Sequence, residues 1–152
     1  PPLRDKFCPD RGITKGELAA FLRRALDLPD ATSDTYSDDD DSIFEGDIES
    51  LVAAGVRVPC NSGGDRFCPD EVVTRKLMAR FLTRAFGYEA SPVDAFVDDN
   101  GSPYEEQINA IAAVKVTRGC NPPTNDRFCS DRNVSREEMA SFMVRAVERI
   151  DP

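Results

Sequence analysis

Histidine and tryptophan are absent from this chain of 152 residues, and no apolar run approaches the roughly 18 residues that a membrane span requires. Without histidine, a serine or cysteine nucleophile has no usual general base. The repeated carboxylates lie at predicted helix starts rather than in an acid–base pair. We therefore expect a chain that is not an enzyme, has no cofactor and does not span a membrane. A catalytic domain elsewhere in a longer parent chain fits this expectation.

Basic charge is also scarce, because 19 Lys and Arg stand against 28 Asp and Glu, for a formal net charge of −9. Phosphate binding requires a basic face, so nucleic acid is not an expected partner. The acids are unevenly placed: ten acids and no base lie between Asp27 and Val56, and six acids and no base between Glu89 and Val114. Either the remaining basic segments face an anionic polymer, or neighbouring segments neutralise one another when packed.

A short motif, Phe-Cys-Pro-Asp or Phe-Cys-Ser-Asp, occurs three times, at 7–10, 67–70 and 128–131. A second motif, aromatic-x-Asp, occurs at 36–38 and 96–98. Both series are spaced by about 60 residues, and recurrence at a fixed period is the signature of repeated structural units. The sequence therefore divides into the second half of a first repeat, a complete second repeat and a complete third repeat, at 1–30, 31–90 and 91–152.

Apolar residues recur at helical spacing in both halves of each repeat, in the i, i+3, i+4, i+7 pattern of an amphipathic helix. The pattern predicts five helices, at about 14–27, 42–55, 74–87, 102–115 and 135–149. Ser or Thr followed three residues later by Glu predicts capping boxes at Thr14/Glu17, Ser42/Glu45, Ser102/Glu105 and Ser135/Glu138. Thr74 precedes Leu77 instead, which predicts a less firmly capped helix.

Five cysteines indicate the redox compartment. Each of two close pairs spans the loop between the two helices of a repeat. A zinc site prefers closer CxxC spacing and more ligands, so we expect two disulfides instead, Cys60–Cys68 and Cys120–Cys129. Disulfides imply an exported protein. Cys8 is left unpaired in this chain, and one interpretation of it is a buried free thiol.

Together these motifs resemble a known family. “FCPDEVVTRKLMARFLTRAF”, “FCSDRNVSREEMASFMVRAV” and “FCPDRGITKGELAAFLRRAL” resemble the S-layer homology (SLH) domain in its cysteine-containing form, and the resemblance covers essentially the whole chain. It implies an all-α fold in which helix-loop-helix repeats form a bundle around a pseudo-threefold axis. The family often has a tryptophan in the first helix of a repeat, where this chain has Phe44 and Tyr104.

The resemblance also implies a function, because SLH domains anchor exported proteins noncovalently to cell-wall glycans. The expected partner is then an anionic cell-wall polysaccharide, and the expected location is extracellular, at a bacterial cell wall or surface layer. A rival function is a structural module in a surface layer or filament. Such a module would make protein–protein contacts with other surface-layer subunits or further copies of itself.

The resemblance names three candidate glycan-binding residues, the basic residue after Thr or Ser at the start of each second-half helix: Lys15, Arg75 and Arg136. A helix start offers free N–H groups to an anion, and Arg adds a planar fork for a carboxylate. The alternative is that these are solvated residues of a first helical turn. Three further arginines recur near the packing stripe, where structural ion pairs are expected: Arg24, Arg84 and Arg145.

The acidic stretch “SDDDDS” places four residues at positions 1, 3, 5 and 12 of an EF-hand count: Asp38, Asp40, Ser42 and Glu49. Ile43 stands where that loop requires Gly, and the sister stretch “VDDNGS” does not repeat the pattern. We therefore expect no metal, with calcium at Asp38 and Asp40 as the alternative. The ordinary interpretation is a helix start lined by acids.

The first residues align with a later copy of the repeat, because “PPLRDKFC” at 1–8 matches “PPTNDRFC” at 122–129. Cys120 lies two residues before that later copy, and no basic-then-apolar signal segment opens the chain. We therefore expect a segment of a longer exported protein, or a second chain that covers the missing surface. On either expectation, three residues lie at an open or intermolecularly covered face: Phe7, Phe21 and Leu22.

Overall fold

A computed structural model of the chain describes residues 6–148. This part of the chain contains five α-helices and no β-strand, which confirms the predicted all-α fold. The helices are α1 at Lys15–Ala25, α2 at Glu45–Ala53, α3 at Arg75–Phe86, α4 at Glu105–Ala113 and α5 at Arg136–Val147. Within residues 6–148, no helix has the length and apolar character that crossing a bilayer requires.

The second-half helices α1 and α5 begin at the predicted capping boxes. The hydroxyls of Thr14 and Ser135 accept the N–H groups of Glu17 and Glu138, and each glutamate accepts a bond from the cap backbone in return. Thr74, which lacks the partner acid, has no side-chain capping bond at the start of α3. The prediction of two firm caps and one weaker one is therefore confirmed.

The first-half helices α2 and α4 begin about three residues later than predicted, with Phe44 and Tyr104 as their N-cap residues. The capping boxes predicted at Ser42 and Ser102 are wrong. The hydroxyls of these serines instead accept the N–H groups of Phe44 and Tyr104, both at 3.2 Å. This bond closes a tight turn before each helix. Because each serine lies two residues before the N-cap, its hydroxyl serves the turn and does not cap the helix.

The helices pack in pairs, α1 against α2 and α3 against α4, around one continuous apolar core. Aromatic pairs tie the loops to this core: the ring centroids of Tyr36 and Phe67 are 5.4 Å apart, and those of Phe96 and Phe128 are 5.5 Å apart. All four rings are buried. Because aromatic side chains bury large apolar areas, these pairs hold the second and third repeats on the core in the same way.

A ring of backbone hydrogen bonds lies at the centre of the molecule. The N–H of Ile13 donates to the carbonyl of Val134 (3.0 Å), that of Val134 to Val73 (2.9 Å), and that of Val73 back to Ile13 (2.9 Å). All three residues are fully buried. Since each repeat bonds the next in the same way, the three second-half helices surround a pseudo-threefold axis, as the fold prediction states.

Two disulfides close the interhelical loops, Cys60–Cys68 and Cys120–Cys129, with Cα separations of 6.0 and 6.1 Å. The predicted disulfide-closed loops are therefore confirmed. Such disulfides belong to proteins of an oxidising, extracytoplasmic environment. Cys8 is a free and exposed thiol, so the interpretation of it as a buried thiol is wrong.

The face expected to be open is open only in part. Phe7 is 49% exposed and Phe21 is half-buried, but Leu22 is fully buried in the core. The expectation therefore fails for Leu22, because the helical stripe turns this residue towards the helices of the other repeats rather than towards Phe7.

The outer side of α5 contrasts with the equivalent sides of α1 and α3. On α1, Arg23 forms an ion pair with Asp47 of α2 (3.1 Å), and on α3, Thr83 donates to the carbonyl of Gln107 in α4 (3.3 Å). The equivalent residue on α5, Val144, is 57% exposed. Helix α5 thus exposes Val144 to solvent at the position where α1 and α3 contact their partner helices.

Candidate functional site

The three candidate glycan-binding residues begin α1, α3 and α5 at equivalent positions around the axis. Their backbone N–H groups donate to carbonyls of a neighbouring repeat, at 2.9–3.0 Å: Lys15 to Glu71, Arg75 to Arg132 and Arg136 to Arg11. The next N–H of each helix is bonded likewise, to carbonyls of Pro69, Ser130 and Pro9. The N–H groups expected to be free for an anion are therefore used by the fold, and that part of the hypothesis is wrong.

Lys15 is enclosed by the second repeat and has 0% exposure. Its Nζ donates to the carbonyl of Val58 (3.1 Å) and lies 4.6 Å from the centroid of the Phe67 ring. Burial lowers the pKa of Lys15, and the Glu71 carboxylate, 3.7 Å away, opposes that effect. Lys15 is not a solvated first-turn residue, and in this conformation its ammonium presents no surface to a ligand.

Arg75 is 2% exposed and is held by the third repeat. Its Nε donates to the carbonyl of Phe128 (2.7 Å), and a terminal nitrogen donates to Oγ1 of Thr117 (3.3 Å). The guanidinium carbon lies 4.7 Å from the centroid of the Phe128 ring. The solvated alternative is therefore wrong for Arg75 as well.

The charge of Arg75 has no ion-pair partner among residues 6–148. Burial lowers the pKa of Arg75 to about 10. A buried charge without an ion-pair partner carries a large desolvation penalty, which ring contacts and two hydrogen bonds offset only in part. The carboxylates of Glu138 and Asp98 favour the charged form of Arg75 but form no direct ion pair with it, so its charge is only partly compensated.

Arg136 has an ion-pair partner within the protein, which it shares with Arg11. Its Nε donates to the carbonyl of Phe7 (2.9 Å), and a terminal nitrogen pairs with the carboxylate of Glu17 (2.8 Å). Burial favours a higher pKa for Glu17, but the hydrogen bonds from Arg11 and Thr14 outweigh it, and the pKa is lowered overall. Glu17 thus stays ionised between Arg11 and Arg136, so the Arg136 guanidinium, unlike that of Arg75, has a direct ion pair.

A cleft of about 400 Å³ opens at Arg75, between the start of α3, the loop after α4 and the side of α5. We call it the arginine cleft. Its charged lining consists of four arginines and one glutamate: Arg75, Arg118, Arg132, Arg145 and Glu138. In a chain of net charge −9, this concentration of positive charge on low-dielectric walls favours an anionic ligand.

The other arginines of the cleft differ in how far they are engaged. Arg132 pairs with Glu138, and Arg145 donates to the carbonyl of Val116 (3.2 Å). Arg118 is exposed and has no hydrogen bond or ion pair within the described part of the chain. A guanidinium with all five donors available matches the geometry of a carboxylate.

The structural ion pairs expected for the recurring helix arginines are not formed in residues 6–148. Arg84 donates to the carbonyl of Arg57, as Arg145 does to that of Val116, and Arg24 is exposed. Arg84 and Arg145 therefore fix the chain after α2 and after α4 through main-chain carbonyls.

Sequence reasoning missed Arg118 and Arg132, because it selected basic residues that recur in all three repeats. Arg118 aligns with Val58, and Arg132 aligns with Glu71 in the second repeat. The signal that could have found them is a basic residue of the third repeat whose counterpart in the second repeat is not basic, although Arg132 also has a basic counterpart, Arg11, in the first repeat.

The aromatic-x-Asp motif has a structural role. The two carboxylate oxygens of Asp38 accept the N–H groups of Phe67 (2.7 Å) and Cys68 (2.9 Å), and Asp98 does the same in the third repeat. Each aspartate thereby holds a disulfide-closed loop on the core. Asp38 therefore has a structural role at this loop, and calcium at Asp38 and Asp40 stays a prediction.

Comparison with known proteins gives two partial similarities, and no family model matches the chain. Over 86 residues, or 56% of the chain, it is 37% identical to an endoglucanase of Bacillus sp. (strain KSM-635). Over 155 aligned positions, or 95% of the chain, it is 25% identical to an amylopullulanase of Thermoanaerobacterium thermosulfurigenes. The aligned regions span only 9% and 8% of these proteins. The chain is therefore similar to a small part of each of two enzymes named for polysaccharides.

Proposed function

We propose that this chain is a noncovalent anchoring module that binds an anionic cell-wall polysaccharide in the arginine cleft. The observation that carries the proposal is Arg75, a buried guanidinium without an ion-pair partner that lines a cleft with three further arginines. The domain division into one half and two complete SLH repeats, and an extracellular cell-surface location, belong to the same proposal. We assign the chain a binding role and no catalytic one.

The ligand chemistry follows from the lining of the cleft. Arg75 uses two of its donor groups within the protein, which leaves other N–H groups for a sugar carboxylate, and Arg118 adds a free guanidinium at the surface. Phe142 supplies apolar surface beside them. A cleft of about 400 Å³ has room for a short stretch of a glycan and not for a folded partner.

The two similar proteins support a polysaccharide partner. Both carry names of enzymes that act on glucans, and the chain matches less than a tenth of each. A short segment within a large polysaccharide-acting enzyme fits a module that holds the enzyme at a surface. The exported environment indicated by two disulfides fits the same role.

A second candidate function is assembly through protein–protein contacts. Exposed apolar side chains favour it, because Phe7 is 49% and Val144 is 57% exposed. The partners would be other surface-layer subunits or further copies of this chain.

Binding to bacterial cell walls stripped of protein separates the two candidates. We expect the wild-type chain to be retained on stripped walls, with retention falling as salt is raised because the contact is ionic. Arg118→Ala should weaken retention about fivefold or more. Arg24→Ala removes the same charge from an exposed arginine outside the cleft and should change retention less than about twofold. Retention on intact surface layers alone, with none on stripped walls, would favour assembly.

A further inference from the structure

Asp39 is a buried acidic residue in the loop before α2. It is 1% exposed, and neither of its carboxylate oxygens has a hydrogen-bond partner among residues 6–148. Burial raises the pKa of Asp39 to about 6, and the nearby carboxylate of Glu49 adds to the effect. Leaving an ionisable group buried and unpartnered is costly, so its position indicates a ligand for the carboxylate.

Two further carboxylates converge on Asp39. Asp34, Asp39 and Asp40 each offer a carboxylate oxygen, and these oxygens lie within 4.8 Å of one another. None of the three forms an ion pair in the described part of the chain. No Lys or Arg occurs between Asp27 and Val56, so the local sequence supplies no cation. Three negative charges are thus held together without compensation.

The fold fixes the positions of these acids. Glu49 on α2 is buried and accepts bonds from the Ser33 hydroxyl (2.8 Å) and from the N–H and hydroxyl of Thr35 (both 3.0 Å). Those bonds hold the residues on both sides of Asp34. The carbonyl of Asp39 accepts the N–H of Ser42 (2.8 Å), which closes the turn that contains Asp40. The cluster is therefore positioned by the packed helix and by a bonded turn.

We propose that Asp34, Asp39 and Asp40 bind a calcium ion. Oxygen ligands select hard cations, and oxygens less than about 5 Å apart can share one ion at the usual calcium–oxygen distances of about 2.3–2.6 Å. Calcium accepts irregular sets of six to eight oxygens, whereas magnesium demands a near-ideal octahedron, so a loop site with two exposed carboxylates suits calcium better. The proposal is independent of glycan binding in the arginine cleft.

The third repeat supplies an internal comparison. Asp94, Asp99 and Asn100 occupy the positions of Asp34, Asp39 and Asp40, and Asp99 is likewise buried without a hydrogen-bond partner in residues 6–148. Asn100 removes one of the three charges. Because calcium affinity increases with the number of charged ligands, the second-repeat cluster is the tighter site.

Calorimetric titration of the whole chain with CaCl₂, at pH 7.5 and low salt, tests the proposal. We expect saturable binding with a dissociation constant on the order of 10⁻⁴ M, as in extracellular calcium modules. The double variant Asp34→Asn/Asp40→Asn alters two exposed residues and should weaken this binding about tenfold or more. The control Asp41→Asn/Asp70→Asn changes the net charge equally at exposed acids outside the cluster and should stay within about twofold.

Thermal melting gives a second readout on the same proteins. Calcium should raise the melting temperature of the wild type and of the control equally, and that of Asp34→Asn/Asp40→Asn distinctly less, because only the weaker third-repeat site remains intact in that variant. Asp99→Asn should retain the tighter site, while Asp39→Asn should lose it. Absence of saturable binding in wild type up to about 10 mM calcium, or equal binding by the cluster variant and the control, would overturn the proposal.

Discussion

Lys15 and Arg75 occupy the same position in consecutive repeats, yet only Arg75 faces a cleft. Both side chains are buried, both lie over a phenylalanine of the following repeat, and both bond a main-chain carbonyl. Lys15 has the Glu71 carboxylate 3.7 Å away, whereas Arg75 has Arg132 at the position of that glutamate. The same packing therefore encloses a lysine beside a carboxylate in one repeat and, in the next, an arginine without a direct ion pair among residues 6–148.

The repeat therefore sets the packing, and the neighbours that differ between the second and third repeats set the chemistry. Val58 beside Lys15 is an apolar residue, and Arg118 stands at its position beside Arg75. Two changes of neighbour, from Glu71 to Arg132 and from Val58 to Arg118, convert a sealed structural position into a basic cleft.

Removing each disulfide in turn should separate stability from binding. Replacing both cysteines of Cys60–Cys68 or of Cys120–Cys129 by serine should lower the free energy of unfolding by about 2.5 kcal/mol, because each closes a loop of about nine residues. Only the second pair should also weaken glycan retention, since Cys120 lines the arginine cleft. Urea denaturation and wall binding measure the two effects. Equal loss of retention in both variants would break the comparison.

Acidification should stabilise the chain in EDTA through a second pair of equivalent residues. Burial raises the pKa of Asp39 and of Asp99 to about 6, and each faces further acids: Glu49, Asp38 and Glu45 for the first, and Asp94, Asp98 and Glu105 for the second. Their pKa values are higher in the folded than in the unfolded chain, so the folded state binds more protons and stability falls as pH rises through 6. Lowering the pH from 7 to 5 should add about 1 kcal/mol per carboxyl.

Denaturation curves of Asp39→Asn and Asp99→Asn at both pH values check this prediction. Each variant should lose about half of the pH effect, because the neutral amide does not titrate. A wild-type chain less stable at pH 5 than at pH 7 in EDTA would contradict the assignment of both carboxyls.

The helix caps provide the smallest contrast. Thr14→Ala removes a hydroxyl that accepts the N–H of Glu17, and it should lower the free energy of unfolding by about 1 kcal/mol. Thr74→Ala removes a hydroxyl without a capping bond and should lower the free energy of unfolding by only a few tenths of about 1 kcal/mol. Equal destabilisation by the two substitutions in chemical denaturation would show that Thr74 caps α3 after all.

Much of the fold could be predicted from the sequence because its signals are local. Helical periodicity, the Thr14 and Ser135 caps and the close cysteine pairs each depend on residues within about ten positions of one another. The starts of α2 and α4 could not be predicted in this way. A serine hydroxyl can accept an N–H group either as a helix cap or within a turn, and Ser42 and Ser102 form the turn.

The candidate site was predicted only in part. The recurrence of Arg75 marked a residue that lines the arginine cleft. A first-turn residue of an isolated helix is exposed, however, and the burial of Arg75 comes from the third repeat packing over it. Arg118 and Arg132 reach the cleft through contacts between repeats, which no local pattern records. The burial of Asp39 could not be predicted either, because it lies within a run of four acidic residues, which normally indicates an exposed segment.

The most direct test of the account is the affinity of Arg75→Met and Lys15→Met for a purified anionic cell-wall polysaccharide, measured by calorimetry beside the wild type. Both substitutions remove one buried positive charge and replace it with an unbranched apolar chain. Circular dichroism of each variant is the control for folding. The account predicts that Arg75→Met weakens binding about tenfold or more while Lys15→Met stays within about twofold, because only Arg75 faces the arginine cleft. Equal affinities for the two variants, whether both unchanged or both reduced, would contradict the assignment of the cleft as the glycan site.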